Sequence, residues 1–249
     1  MAESKLLSEA ADLIKSSAYT TAFTGAGISV ESGIPPFRGE KGLWNKYDPQ
    51  TLELGYFQAY PGDSWKVIVE IFYEFFGSAK PNKAHQVLAQ LEKDGYLHAI
   101  ITQNIDNLHY EAGNKTVYEF HGNAKQLVCT SCNQYFKPEE LDLTSLPVKC
   151  ISCFGLVKPD FIFFGEGIPH HAYKQSVTAA EKSEVMIVIG TTGEVMPAGQ
   201  MPVIAKSNGA RIIEVNPEPS NLTRHLTDIH LKGSAAEVMF MLEKSIYNL

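Results

Sequence analysis

Apolar residues recur at helical spacing near the start of the chain, at Leu6, Leu7, Ala10, Leu13 and Ile14, the pattern of a helix that buries one face. The run 19–23 that follows is short, continuous and rich in apolar and β-branched residues, which predicts a buried strand. Further on, Asn82 is placed to cap a helix carrying Ala84, Val87, Leu88 and Leu91, with Gly95 ending it. The run 98–102 is apolar and ends in polar residues. Residues 185–189 end in Gly190-Thr191-Thr192-Gly193, and residues 211–215 end in Asn216-Pro217. Short apolar runs that each close on small or polar residues predict an α/β fold with a parallel sheet. Ligand-binding loops are expected at the sheet's carboxyl edge.

Two stretches interrupt this alternation. Residues 42–78 are aromatic-rich, with a helix expected around 65–76, and residues 128–154 hold all the cysteines. They read as two insertions into one α/β domain that pack together as a smaller domain. The expected division is 1–39, 79–127 and 155–249 for the main domain. Residues 40–78 form a helical module and residues 128–154 a metal-binding module of the small domain.

Composition narrows the class. The chain has 249 residues, of which 44% are hydrophobic and 20% charged, a balance that packs a globular core. A net charge of −7 argues against general nucleic-acid binding, which needs a basic face. The first residues carry no apolar stretch behind a basic start, and no run of apolar residues is long enough to span a bilayer. A soluble, cytoplasmic protein is expected, with no membrane partner.

Three clusters carry chemistry. Gly25-Ala26-Gly27 follows the first strand directly. Glycines let a phosphate approach the backbone of such a turn, although a plain tight turn also explains them. The four cysteines, Cys129, Cys132, Cys150 and Cys153, form two C-x-x-C pairs. That doubled spacing fits one tetrahedral structural zinc ion, with no open coordination position for catalysis. The alternatives are disulfides, disfavoured in a reducing compartment, or free thiols. The third cluster is the polar run 102–109, at the end of a predicted strand, where buried polar groups need partners or a polar ligand. His121, beside Gly122 on a loop, is a candidate general base, or one more structural histidine among eight.

Taken together, Gly25-Ala26-Gly27-Ile28-Ser29, Gly33-Ile34-Pro35, Phe37-Arg38-Gly39, Gln103-Asn104-Ile105-Asp106, His121-Gly122, the cysteine quartet, Phe164-Gly165-Glu166, Gly190-Thr191 and Asn216-Pro217 resemble, in this order, the motif set of the sirtuins, NAD-dependent protein-lysine deacylases. The match runs from about residue 19 to about residue 233. The resemblance implies a Rossmann-like domain, a smaller zinc-binding and helical domain, and NAD in the cleft between them. It assigns the diphosphate to Gly25, Ala26 and Gly27, and a mobile cofactor loop to Phe37 and Arg38. The nicotinamide pocket falls to Asn104, Ile105 and Asp106, with Asp106 on the carboxamide, and the nearer ribose to Gln103. Gly190, Thr191 and Thr192 border the adenosine side, and Asn216 with Pro217 the adenine ribose. Ile162, Phe164, Gly165 and Val195 border the acyl-lysine site, where an acetylated peptide would lie as an extended strand. His121 is the implied base, with Asn104 beside it in catalysis, and the products are lysine, nicotinamide and O-acyl-ADP-ribose. An ADP-ribosyltransferase or NAD hydrolase using the same pocket is the alternative.

Three positions depart from the common pattern. Pro36 stiffens the loop, Thr192 keeps a hydroxyl where serine is usual, and Glu194 stands where an aliphatic residue is common. Glu194 either shapes the acyl site or points to solvent.

Sirtuins that remove acidic acyl groups carry Tyr and Arg three residues apart in the helix beside the acyl pocket. Counted from Trp65, the equivalent places here are Ile68 and Ile71, with Lys66 the nearby cation and Glu70 and Glu74 opposing an anion. An acidic acyl chain would lose its hydration there and find no guanidinium. Acetyl-lysine is therefore expected over succinyl-lysine by at least roughly tenfold, about 1.4 kcal/mol. Comparing kcat/KM on one peptide bearing each group tests this. Equal desuccinylation would refute it.

Overall fold

The computed structural model describes residues 2–39 and 42–248, without the side chains of residues 2, 3, 74 and 75. Nine strands run along the described chain: β1 (Thr20–Thr24), β2 (Ala99–Thr102), β3 (Val117–Glu119), β4 (Gly122–Cys129), β5 (Tyr135–Phe136), β6 (Val157–Phe161), β7 (Val185–Ile189), β8 (Arg211–Asn216) and β9 (Ile229–Lys232). Six of them form a parallel sheet in the order β3-β2-β1-β7-β8-β9. From β1 the chain winds outward through β2 and β3. It then returns to the other side of β1 and winds outward again through β7, β8 and β9. Strand order reverses between β1 and β7, the place where such sheets open a crevice at their carboxyl ends.

Period-two alternation covers both faces of this sheet. Ala22, Ile100, Ile187, Ile189, Ile213 and Val215 point into one core. There they meet helices 2–16, 83–93 and 235–247 through Ile14, Leu88, Leu91, Met239 and Leu242. Phe23, Ile101, Met186, Val188 and Ile212 point into the other core, against Ala179, Ala180, Met201 and Ala205 of helices His170–Lys182 and Gln200–Ser207. Strands buried on both faces read as continuous apolar runs, which is how the four central strands were legible. The edge strands β3 and β9 were not. They are short, and each carries a charged residue, Glu119 and Lys232.

Asn82 caps helix Lys83–Lys93 as expected, accepting from Ala84 N at 2.9 Å. Gly95 follows the helix with φ +81°. The expected helix over 65–76 divides. An α-helix covers Pro61–Ile68, with proline in its first turn, and a π-helical segment covers Val69–Phe75. A π turn widens the coil and shifts which residues share a face.

The remaining three strands form an antiparallel sheet, β5-β4-β6. Its residues share a core with residues 52–76: Trp65, Ile68, Ile71 and Phe72 pack with Leu127, Cys129, Val148, Cys150, Val157 and Phe161. Trp65 Nε1 donates to Val157 O across this core at 2.8 Å. The two interruptions of the α/β pattern thus meet in space.

At the switch point the backbones of β1 and β7 continue into direct contact. Gly27 N donates to Gly190 O at 2.9 Å. A Cβ on Gly27 would lie 2.5 Å from Gly190 Cα, and one on Gly190 would lie 2.6 Å from Gly27 Cα. Gly190 also has φ +64°. Gly190→Ala is therefore expected to destabilise the fold by roughly 2 kcal/mol or more. Gly55→Ala, whose Cβ meets nothing within 4 Å, is the control and is expected to change stability by less than about 1 kcal/mol. Urea unfolding of both variants measures this. Equal stability of the two would refute the crowding at Gly190.

Candidate active site

The cleft at the switch point has a volume of about 620 Å³. One rim is the turn after β1. Gly25 N donates to Ile189 O at 3.0 Å and Gly27 N to Gly190 O. These two N–H groups are therefore committed to the neighbouring chain, and the glycines serve chiefly by allowing the backbones to approach. A Cβ on Gly25 would meet Thr191 Cβ at 2.7 Å. The turn continues as a 3₁₀ helix, Ala26–Ser32, closed by Gly33 at φ +90°.

A polar ladder crosses the carboxyl ends of three strands. Gln103, after β2, donates from Nε2 to Thr191 Oγ1 at 3.0 Å, and Asn216, ending β8, donates from Nδ2 to Thr191 O at 3.0 Å. Asn216 is further fixed by Glu214 at 2.8 Å. All three ladder residues line the cleft.

Asn104 is buried, and its Nδ2 donates to Gly25 O at 3.1 Å and Ser29 Oγ at 3.3 Å. Ser29 in turn donates to Asp106 Oδ2 at 2.7 Å, and Leu108 N donates to Asp106 Oδ1 at 2.9 Å. Burial pushes the Asp106 carboxyl up, and these two bonds oppose that shift. The chain Asp106–Ser29–Asn104 thus holds one amide against the cleft.

His121 lines the cleft, and its Nδ1 is 3.0 Å from Gln103 O. A carbonyl only accepts, so Nδ1 carries the proton and Nε2 keeps its lone pair. Burial lowers the pKa of His121, with the Gln103 carbonyl partly opposing. The imidazole is neutral at neutral pH, with its basic nitrogen fixed in orientation.

The opposite rim is apolar. Phe37, Trp44 and Phe164 form a ring series, with centroids 5.2 Å and then 6.2 Å apart. Ile162 and Phe164 are set by main-chain bonds. Ile162 N donates to His121 O and Phe164 N to Leu52 O, each at 2.9 Å.

The structure brings Gly25, Ala26, Gly27, Phe37, Arg38, Gln103, Asn104, Ile105, His121, Ile162, Phe164, Gly165, Gly190, Thr191, Thr192, Val195, Asn216 and Pro217 to this one cleft. Asp106 does not line it and stands behind Ser29 and Asn104. Glu194 is exposed, accepts from Asn221 Nδ2 at 2.8 Å, and does not line the cleft. Ile68 and Ile71 are buried in the second core and do not line the cleft, which is faced instead by Phe72. Ile68 ends the α-helix and packs beside Trp65, and Ile71 of the π-helical segment packs in the same core, so both point away from the cleft. Lys66 pairs with Asp63 at 2.9 Å and Glu70 with Lys46 at 2.8 Å, both at the surface. Glu74 lies outside the described side chains. Trp44, Phe72 and Ser29 carried no distinguishing signal, since single aromatics in an aromatic-rich stretch read as core. Ser29 lies inside the glycine motif, and only its contacts reveal its part.

The four cysteine sulfurs lie within 4.8 Å of one another. The pairs Cys129–Cys153 and Cys132–Cys150 are 3.5 and 3.8 Å apart. A disulfide is about 2.0 Å, whereas thiolates on a tetrahedral zinc stand about 3.8 Å apart. Cys129 and Cys132 sit on one loop and Cys150 and Cys153 on another. Asn133 N donates to Cys129 O at 3.0 Å and Phe154 N to Cys150 O at 2.9 Å. Asn133 and Phe154 both take left-handed φ, +58° and +60°. The donor set and its geometry fit one structural zinc ion.

Known proteins match this arrangement. The profile of the Sir2 family matches residues 25–197. A protein of Aeropyrum pernix named NAD-dependent protein deacylase is 42% identical, over 96% of each chain. The crystal structure of a Sir2 homologue–NAD complex superimposes with a TM-score of 0.89 at 41% identity, covering 98% of this chain and 93% of that one. A Sir2 structure with deacetylated p53 peptide and 3'-O-acetyl ADP-ribose has a TM-score of 0.90 at 33% identity, covering 95% and 96%.

Metal analysis is expected to find one zinc per chain. Cys150→Ala is expected to lose the metal and unfold the β5-β4-β6 module, because binding free energy in such modules is folding free energy. Zinc-free protein that stays folded and active would refute the site.

Proposed function

Because this chain belongs to the Sir2 family, we propose that its cleft removes acyl groups from protein lysines with NAD as co-substrate. The enzyme is an NAD-dependent protein-lysine deacylase. The observation that carries the assignment of roles is His121. Its Nδ1 is locked on Gln103 O, which leaves a neutral, basic Nε2 in a cleft with a glycine turn on one side and an aromatic rim on the other.

NAD, when bound, would supply a ribose carbon that gives up nicotinamide as a neutral leaving group and takes the acyl oxygen; one water is consumed as the lysine amine leaves, so that the products would be nicotinamide, free lysine and O-acyl-ADP-ribose. His121 Nε2 takes the proton from a ribose hydroxyl and drives acyl transfer onto it. Asn104, held by Ser29 and Asp106, orients polar groups at the nicotinamide end, with Ile105 closing that pocket. Gly25, Ala26 and Gly27 give the diphosphate close access to the turn. Gln103 faces the nicotinamide-side ribose, Gly190, Thr191 and Thr192 border the adenosine side, and Asn216 with Pro217 faces the adenine ribose. Phe37 and Arg38 cover the cofactor from the loop. The acylated peptide lies extended along 162–165 and Val195 and is recognised mainly through its backbone.

We divide the chain into a main domain of 1–39, 79–127 and 155–249, with 40–78 and 128–154 forming the smaller one. No helix among the described residues is long and apolar enough to cross a membrane. We place the enzyme in the cytoplasm, where thiols stay reduced and able to hold zinc.

His121→Ala is expected to lower deacylation by roughly 10²- to 10⁴-fold while NAD binding survives. The base form is the active one, and burial holds its pKa below 6.5. Activity is therefore complete at neutral pH and lost only as pH falls through that lowered value. Rate profiles from pH 5 to pH 8 with NAD and an acetyl-lysine peptide test both points. Near-normal turnover of the variant, or an acidic limb above pH 6.5, would overturn the assignment. Nicotinamide release without peptide deacetylation would point instead to NAD hydrolysis.

A further inference from the structure

Lys158 is a buried charge with no part in the chemistry above. It lies in β6, is 6% exposed, and does not line the cleft. Its Nζ donates to Pro159 O and Phe161 O, each at 2.9 Å, and stands 3.2 Å from Glu166 Oε2. Three acceptors match the three N–H groups of an ammonium. The same Nζ sits 4.8 Å from the centroid of the Phe163 ring. Glu166 Oε2 also accepts from Phe163 N at 2.7 Å, and Glu166 N donates back to Phe163 O at 3.0 Å. One ammonium and one carboxylate therefore tie together both ends of segment 161–166.

That segment is the floor of the acyl side. Phe161, Ile162, Phe163, Phe164 and Gly165 all line the cleft. Elsewhere its main chain bonds to His121 O, Leu52 O and Leu54 N, and its Phe161 and Phe163 rings pack on Phe72 and Phe57, but no other side-chain hydrogen bond or ion pair is seen to join it to its surroundings among the described residues. A buried ion pair is an expensive way to fill space, since a well-packed apolar side chain of similar volume is often as stable or more so. Its distinctive property is geometric: a charged network accepts one arrangement of its partners and penalises the others. The glycine turn has its own ties to β7 and none to Lys158.

We infer that Lys158 and Glu166 form a clamp that positions segment 161–166 for the acyl-lysine and leaves the NAD side untouched. Lys158 is thus a positioning residue for the substrate peptide. This rests on the deacylase assignment, and the experiment separates the two. The zinc-loaded, full-length protein is assayed with NAD and an acetyl-lysine peptide, and ADP-ribose binding is measured by calorimetry. If the wild type does not deacetylate the peptide, the deacylase assignment fails. If it does, Lys158→Met is expected to raise the peptide KM by roughly tenfold or more and to leave the ADP-ribose Kd within about twofold. Lys158→Arg, which keeps the charge and donors, is expected to restore most of the peptide KM. If Lys158→Met does not fold, Glu166→Gln decides, with the same rise in peptide KM expected. An unchanged peptide KM in the deciding variant overturns the clamp. So does a Kd for ADP-ribose that rises in step with the peptide KM, or a failure of Lys158→Arg to improve on Lys158→Met.

Discussion

The backbone contact between Gly27 and Gly190 is the constraint on which the site depends. It occurs where strand order reverses, so the chain leaving β1 and the chain leaving β7 diverge immediately after it. Neither position has room for a Cβ. Because the two turns touch, Thr191 falls within reach of Gln103 on one side and Asn216 on the other, and Asn104 reaches Gly25 O. A wider gap would separate these polar groups and leave each with a desolvation cost and no partner.

The opposite wall has a different origin. It comes from two segments far apart in sequence, neither of which encloses a sufficient core alone. Trp65 and Phe72 from one pack with Leu127, Cys129 and Val157 from the other. The zinc site secures the distal end of β4, and β6 carries Lys158 and the start of the aromatic floor. Metal, core and floor are thus mechanically in series, although the metal itself takes no part in chemistry.

Burial treats the histidines unequally. His85 and His109 are enclosed, with rings 5.0 Å apart, and desolvation holds His85 down to about 4 and His109 well below its usual value. His109 Nε2 is 2.9 Å from Thr24 Oγ1, so it belongs to the hydrogen-bonded support beneath β1 and β2. His121 is also lowered by burial, yet its ring opens on the cleft. Being neutral is common to all three, and of them His121 lines the cleft while His85 and His109 do not.

The sequence by itself determined whatever is encoded locally. Continuous apolar runs marked the four central strands, Asn82 marked its helix, and two C-x-x-C pairs marked the metal loops, because each signal lies within a few residues of what it specifies. The resemblance carried by the ordered motifs extended this to NAD and proposed His121 as the base. Tertiary structure alone decided the rest. It put Phe72 at the cleft and Ile68 and Ile71 into the core behind it, with Trp65. It sent Glu194 to Asn221 and solvent, set Asp106 behind Ser29, and paired Lys158 with Glu166. These outcomes depend on which distant segments meet and at what distance, and the periodicity of a single chain carries no record of that.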